Sequence, residues 1–179
     1  MKAPQGKQNL SEQLFRFMCD AHKVALDLVP RLKFDARHPW HRNLVSLYGT
    51  MLELVGSVCI LIHENVGIGV PILLRSLVEA DLDFENLAKD RCYGYHMRAS
   101  ELKEWIKILK EAKRGGNPFL KDIARVPDLN TTLANLEAEL NQMKKKGRQP
   151  LSPSEKFTKA NMESVYHSVY NCLCCDSHN

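Results

Sequence analysis

Apolar residues recur at helical spacing along most of the chain, and the gaps between these runs coincide with Gly and Pro. The first run predicts a helix over Asn9–Lys33. Leu14, Phe17, Met18, Ala21, Val24, Ala25 and Leu28 step by three and four, and Asn9 with Glu12 gives a capping box. Pro39 ends any continuation and leaves His38, Trp40 and His41 in a loop. A second helix is predicted over Asn43–Glu64. It is apolar nearly all round, which makes it central, and Gly49 and Gly56 offer one side for the close approach of a neighbour. The turn Gly67–Pro71 resets the chain, and Pro71 suits the first turn of a third helix reaching Asp90. A fourth covers Met97–Arg114 and stops at Gly115 and Gly116, and Phe119–Ala124 forms a short helical turn. A fifth starts at Asn130 or Thr131 and ends at Lys146. A sixth starts at Ser152 or Ser154 and runs unbroken through Tyr166 and Tyr170 to the chain end. Short linkers favour antiparallel neighbours, so the expected fold is all-α, an up-and-down helical bundle of about five or six helices.

Composition agrees. There are 24 Leu against 22 Val, Ile and Thr together, a balance that favours helix over sheet. The 179 residues fit one domain spanning 1–179, and 44% apolar with 26% charged residues excludes disordered and collagen-like chains. Aromatic residues at 7% argue against a broad base-stacking platform. The net charge of +4 is unevenly spread: residues 101–159 carry 13 Lys or Arg against 8 Asp or Glu. Lys144, Lys145, Lys146 and Arg148 form a basic cluster before the last helix, read either as a solvated helix end or as a phosphate contact. The first ten residues lack an apolar core, and Glu53, His63 and Glu64 interrupt the apolar stretch Leu44–Leu74. No export signal and no membrane contact are therefore expected, and a cytoplasmic location with reduced thiols is.

Certain polar residues fall where an amphipathic pattern does not call for them. On the third helix Arg75 and Glu79 are spaced i, i+4 and are flanked by Ile72, Val78 and Leu82, as though buried on two sides. They read either as an ion pair that fixes register or, with Asp83, as the lining of a polar pocket. On the last helix Tyr166, Tyr170, Cys174 and His178 follow at steps of four and share a face. Packed on the third helix, that stripe would meet Arg75 and Glu79. Cys172, Cys174 and Cys175 on one helix point in different directions, so no metal is expected. No P-loop, GxSxG, HExxH or CxxC pattern occurs, and no cofactor is expected. Arg followed after four to six residues by His, a spacing found in some helical ribonucleases, occurs as Arg91–His96, Arg16–His22 and Arg31–His38.

Leu73–Phe84, LLRSLVEADLDF, and Glu155–His178, EKFTKANMESVYHSVYNCLCCDSH, together resemble a bacterial family of helical bundles defined only as a domain of unknown function. That resemblance spans about Tyr48–His178 and carries Arg75, Glu79, Tyr166, Tyr170 and His178. More loosely the chain is similar to the HEPN helical bundles, which include RNA-cleaving toxins and defence proteins. Members of the family usually continue beyond the histidine, so the resemblance implies either a chain truncated at its C-terminus or a naturally short version. It also implies a binding or interaction module with RNA or nucleotide as ligand, in a bacterial stress or phage-defence setting. The apolar second helix is the expected interface of a homodimer. Two alternatives stay open. One is a metal-independent ribonuclease with His178 or His96 as general acid or base and Arg75 or Arg91 stabilising the phosphorane. The other is a structural fragment whose site is completed beyond Asn179.

Overall fold

The computed structural model describes residues 5–176, and side chains from Leu10 onward. The fold is all-helical, with no strand among the described residues. Its contacts gather into two compact units, one ending at Lys89 and resuming at Phe157, the other Asp90–Lys156.

In the first unit α1 (Gln5–Leu28) runs into a 3-10 turn, Val29–Arg31. It starts earlier than the capping box suggests, so Asn9 lies inside the helix rather than at its N-cap. Pro39 opens α2 (Pro39–His63) instead of closing what precedes it, because its fixed φ and missing N–H suit the first helical position. Trp40 and His41 are therefore helical and not in a loop. The Trp40 indole donates to the Leu87 carbonyl (2.8 Å), and His41 Nδ1 accepts from the Asp35 N–H (3.1 Å). A short turn leads to α3 (Val70–Lys89), which lies along α2.

α2 packs on both α1 and α3, the central place its composition predicts. It is not apolar all round in its surroundings. Ser46, Thr50, Glu53 and Ser57 form an exposed line along it, and only Val58 is fully buried. By length and composition alone α2 is apolar enough to cross a membrane; its exposed side carries that polar line together with Ile60. Of its two glycines, Gly56 admits the neighbour: a Cβ there would stand 3.0 Å from His22 Cε1 of α1. Around Gly49 nothing lies within 4 Å. His22 Nε2 meets the Leu52 carbonyl (3.0 Å), and the Tyr48 hydroxyl donates to the Ala25 carbonyl (2.8 Å), fixing α1 on α2.

The second unit pairs α4 (Tyr93–Arg114) with α6 (Leu129–Lys145), joined through α5 (Lys121–Ala124). Its core is Ala99, Leu102, Ile106 and Leu109 against Leu133 and Leu140, and Arg98–Glu139 (3.0 Å) and Lys110–Glu137 (2.7 Å) bridge the two helices. Gly115 ends α4 at φ 77°, a conformation that glycine takes without strain.

The expected sixth helix is broken. α7 (Pro153–Ala160) begins in a capping box in which the Ser152 N–H donates to Glu155 (2.7 Å) and the Glu155 N–H donates to the Ser152 hydroxyl (3.3 Å). Asn161, at φ 60°, stops it. Then come α8 (Glu163–Val165), a π-helical turn at Tyr166–Tyr170 and α9 (Asn171–Asp176), so the helices outnumber the expected five or six.

Candidate functional site

The first cluster joins α3 to the π turn. Arg75 Nε donates to Glu79 Oε1 (3.2 Å), as their i, i+4 spacing allows, and the Tyr170 hydroxyl donates to the same oxygen (2.7 Å). The guanidinium lies 5.8 Å from the Tyr170 ring centroid. Phe157, buried beneath, sits 5.0 Å from Tyr170 and 5.3 Å from Tyr166, and the two tyrosines stack at 5.8 Å. Leu82 and Ala160 complete this core. π turns carry one extra residue per turn and are common at functional sites.

The cluster is sealed on one side only. Tyr170 is 4% exposed, but the Arg75 and Glu79 side chains are 32% and 47% exposed. Burial, and then the Glu79 carboxylate, push the Tyr170 phenol well above its ordinary value. The hydrogen bond to Glu79, then Tyr170, raises Arg75. A phenol held protonated against a carboxylate is a donor and not a proton carrier near neutrality. The arrangement is thus a clamp that holds the π turn on α3, with an open outer edge. Asp83, one turn beyond Glu79, is half-buried. His178 lies outside the described residues. Asn86, further along α3, is 1% exposed and so sits inside.

The second cluster is in the Asp90–Lys156 unit. His96 Nδ1 lies 2.7 Å from the Gln149 carbonyl. A carbonyl only accepts, so Nδ1 carries the proton and Nε2 keeps its lone pair in the neutral ring. Next to it, the Arg148 guanidinium lies 3.6 Å from the centroid of the half-exposed Tyr95 ring. Lys144, Lys145 and Lys146, at the end of α6, are exposed. Among the described residues the ion pairs of this unit engage Glu101, Glu104, Glu111, Asp122, Glu137 and Glu139 with other cations; none involves Lys144, Lys145, Lys146 or Arg148. Glu155 is occupied by its capping box, whose Ser152 donors hold the carboxyl below its ordinary value.

Of the residues singled out from sequence, the structure joins Arg75, Glu79, Tyr170 and, by stacking, Tyr166. It also brings His96 beside Arg148 at the end of the basic cluster. Arg91 is exposed next to the start of α4. In the second Arg–His spacing Arg16 pairs with Glu12 while His22 faces α2, and in the third His38 lies 3.7 Å from Asp35. Sequence reasoning missed Phe157 and Tyr95. Tyr95 stands next to His96 in the chain, and Phe157 lies within the Glu155–His178 segment with no spacing that marks it. Among the described residues no group of three His, Cys, Asp or Glu is arranged to hold a metal.

The model of a family of unknown function, DUF5677, matches residues 41–179. No curated protein and no solved structure matches the chain.

Proposed function

We propose that this chain, a member of the DUF5677 family of unknown function, is a binding module that takes up RNA through its Asp90–Lys156 unit. The observation that carries the reading is a concentration of cations that make no ion pair among the described residues: Lys144, Lys145, Lys146 and Arg148 stand together while six acids of the same unit pair with other cations. Arg148 is ordered over Tyr95, so a planar guanidinium is presented beside an aromatic face. That pairing suits a phosphate next to an unstacked base. The looser likeness to HEPN bundles supports an RNA-associated role in a bacterial stress or defence setting.

Fluorescence anisotropy with a labelled single-stranded RNA tests this. Arg148→Ala weakens binding about tenfold or more, the loss expected for a stacked and phosphate-paired arginine. Arg75→Ala, in the other unit, leaves affinity unchanged. Equal binding by wild type and Arg148→Ala contradicts the proposal.

One observation favours a second reading, cleavage. His96 has its proton fixed on Nδ1 by the Gln149 carbonyl, which leaves Nε2 for a proton from a ribose hydroxyl. Cleavage of the same RNA by wild type and its loss in His96→Ala would select that reading. Intact RNA under saturating binding selects the binding module.

A further inference from the structure

The apolar stripe of α1 faces water. Leu10, Leu14, Phe17, Val24 and Leu28 are between 44% and 73% exposed, and Ala21 is exposed with them. The face that α1 turns inward carries other residues, Phe15, Met18, Cys19, His22 and Ala25, all half-buried. The outer residues follow one another at steps of four, three, four, three and four. That alternation is the strict a/d pattern of a helix whose partner is another helix. A helix that only rests on its own core needs a broader and less regular stripe.

We propose that this stripe pairs with the same stripe of a second copy, antiparallel, in a twofold-symmetric dimer. The spacing is palindromic about position 19. An antiparallel copy centred there sets Leu10 against Leu28, Leu14 against Val24 and Phe17 against Ala21. Each layer then joins residues that differ in size or branching, and the bulky Phe17 meets the small Ala21. Such a surface is self-complementary, as a twofold interface requires. The bared apolar side chains amount to on the order of 500 Å² per copy, the upper range of what a monomer leaves exposed. Two copies together remove roughly 1,000 Å², the size at which specific interfaces begin. The proposed interface is α1 rather than the apolar α2 that composition favours, whose exposed line is polar apart from Ile60 near its end.

The test is sedimentation velocity of the full chain across roughly the micromolar range in which interfaces of this size associate. Wild type shifts from monomer to dimer. Leu14→Lys with Val24→Lys, which places four lysines in two facing layers, raises the dimer dissociation constant at least tenfold with unchanged helical circular dichroism. A cysteine pair covers the case in which that variant misfolds. Under mild oxidation, mixed Leu14→Cys and Val24→Cys chains cross-link to each other above the level of wild type, and neither variant cross-links alone. A wild type that stays monomeric overturns the proposal. So does a dimer indifferent to the lysine pair in a folded variant, or cross-linking of each cysteine variant with itself.

Discussion

Tyr170 donates to a carboxylate that also holds Arg75, and its ring is covered by Phe157. Replacing it by Phe keeps the packing and removes one charge-assisted hydrogen bond, so a loss of about 1.5–3 kcal/mol is expected in urea unfolding. The surface pair Arg75–Glu79, 32% and 47% exposed, contributes less, about 0–1 kcal/mol. Tyr170 also predicts an alkaline effect. A tyrosine in the unfolded chain ionises near pH 10, whereas burial and Glu79 raise Tyr170 in the fold. Above about pH 10 the unfolded chain therefore binds fewer protons than the folded one, and stability falls as pH rises. Below it the contribution is fully present. Urea midpoints measured near pH 8 and near pH 11 show the drop in wild type, and Tyr170→Phe shows less of it. Equal drops in both contradict the assignment.

Single elements show where periodicity informs and where it stops. The helical runs and their approximate ends were legible, since apolar spacing and Gly or Pro punctuation both act locally. The role of Pro39 was not, because proline is as much a first helical residue as a stop. The break at Asn161 carries no Gly or Pro; an Asn at positive φ is tolerated there and gives a weak signal. Periodicity also says which residues share a face but not what covers it: of the α1 stripe, Met18 and Ala25 are half-buried and the rest is bare. The Arg75–Glu79–Tyr170 cluster was partly legible, because an i, i+4 pair and a Tyr stripe are local patterns that needed only α3 and the last helix to meet. The approach of Arg148 to Tyr95 joins distant parts of the chain and could not be read from spacing. The two glycines of α2 separate these effects in one experiment. Gly49→Ala has room for its methyl and gains helix propensity, about 1 kcal/mol. Gly56→Ala presses on the His22 ring and disturbs its bond to Leu52, so that gain is cancelled or reversed. Thermal unfolding of the two variants distinguishes them, and equal stabilisation would contradict the close packing of α1 on α2. At the start of α7, Ser152→Ala removes the capping box and costs about 1 kcal/mol in the same measurement.

Across the whole molecule, charge and apolar surface are separated. The Asp90–Lys156 unit holds 14 Lys or Arg against 9 Asp or Glu, while the bare heptad stripe belongs to the unit that contains α1. The proposed RNA binding and the proposed self-association thus fall on different units, and variants of one are expected to leave the other intact. The binding claim rests on four cations acting on phosphates, and counterion release gives it a quantitative form. With about four phosphates neutralised on a single strand, the logarithm of the RNA affinity falls against the logarithm of salt concentration with a slope of about −3. The direct measurement is this slope for wild type and for the variant in which Lys144, Lys145, Lys146 and Arg148 are all alanine. A slope near −3 is expected for wild type, collapsing toward zero in the variant with unchanged helical circular dichroism. No binding by wild type at low salt, or the same slope in both proteins, would contradict it.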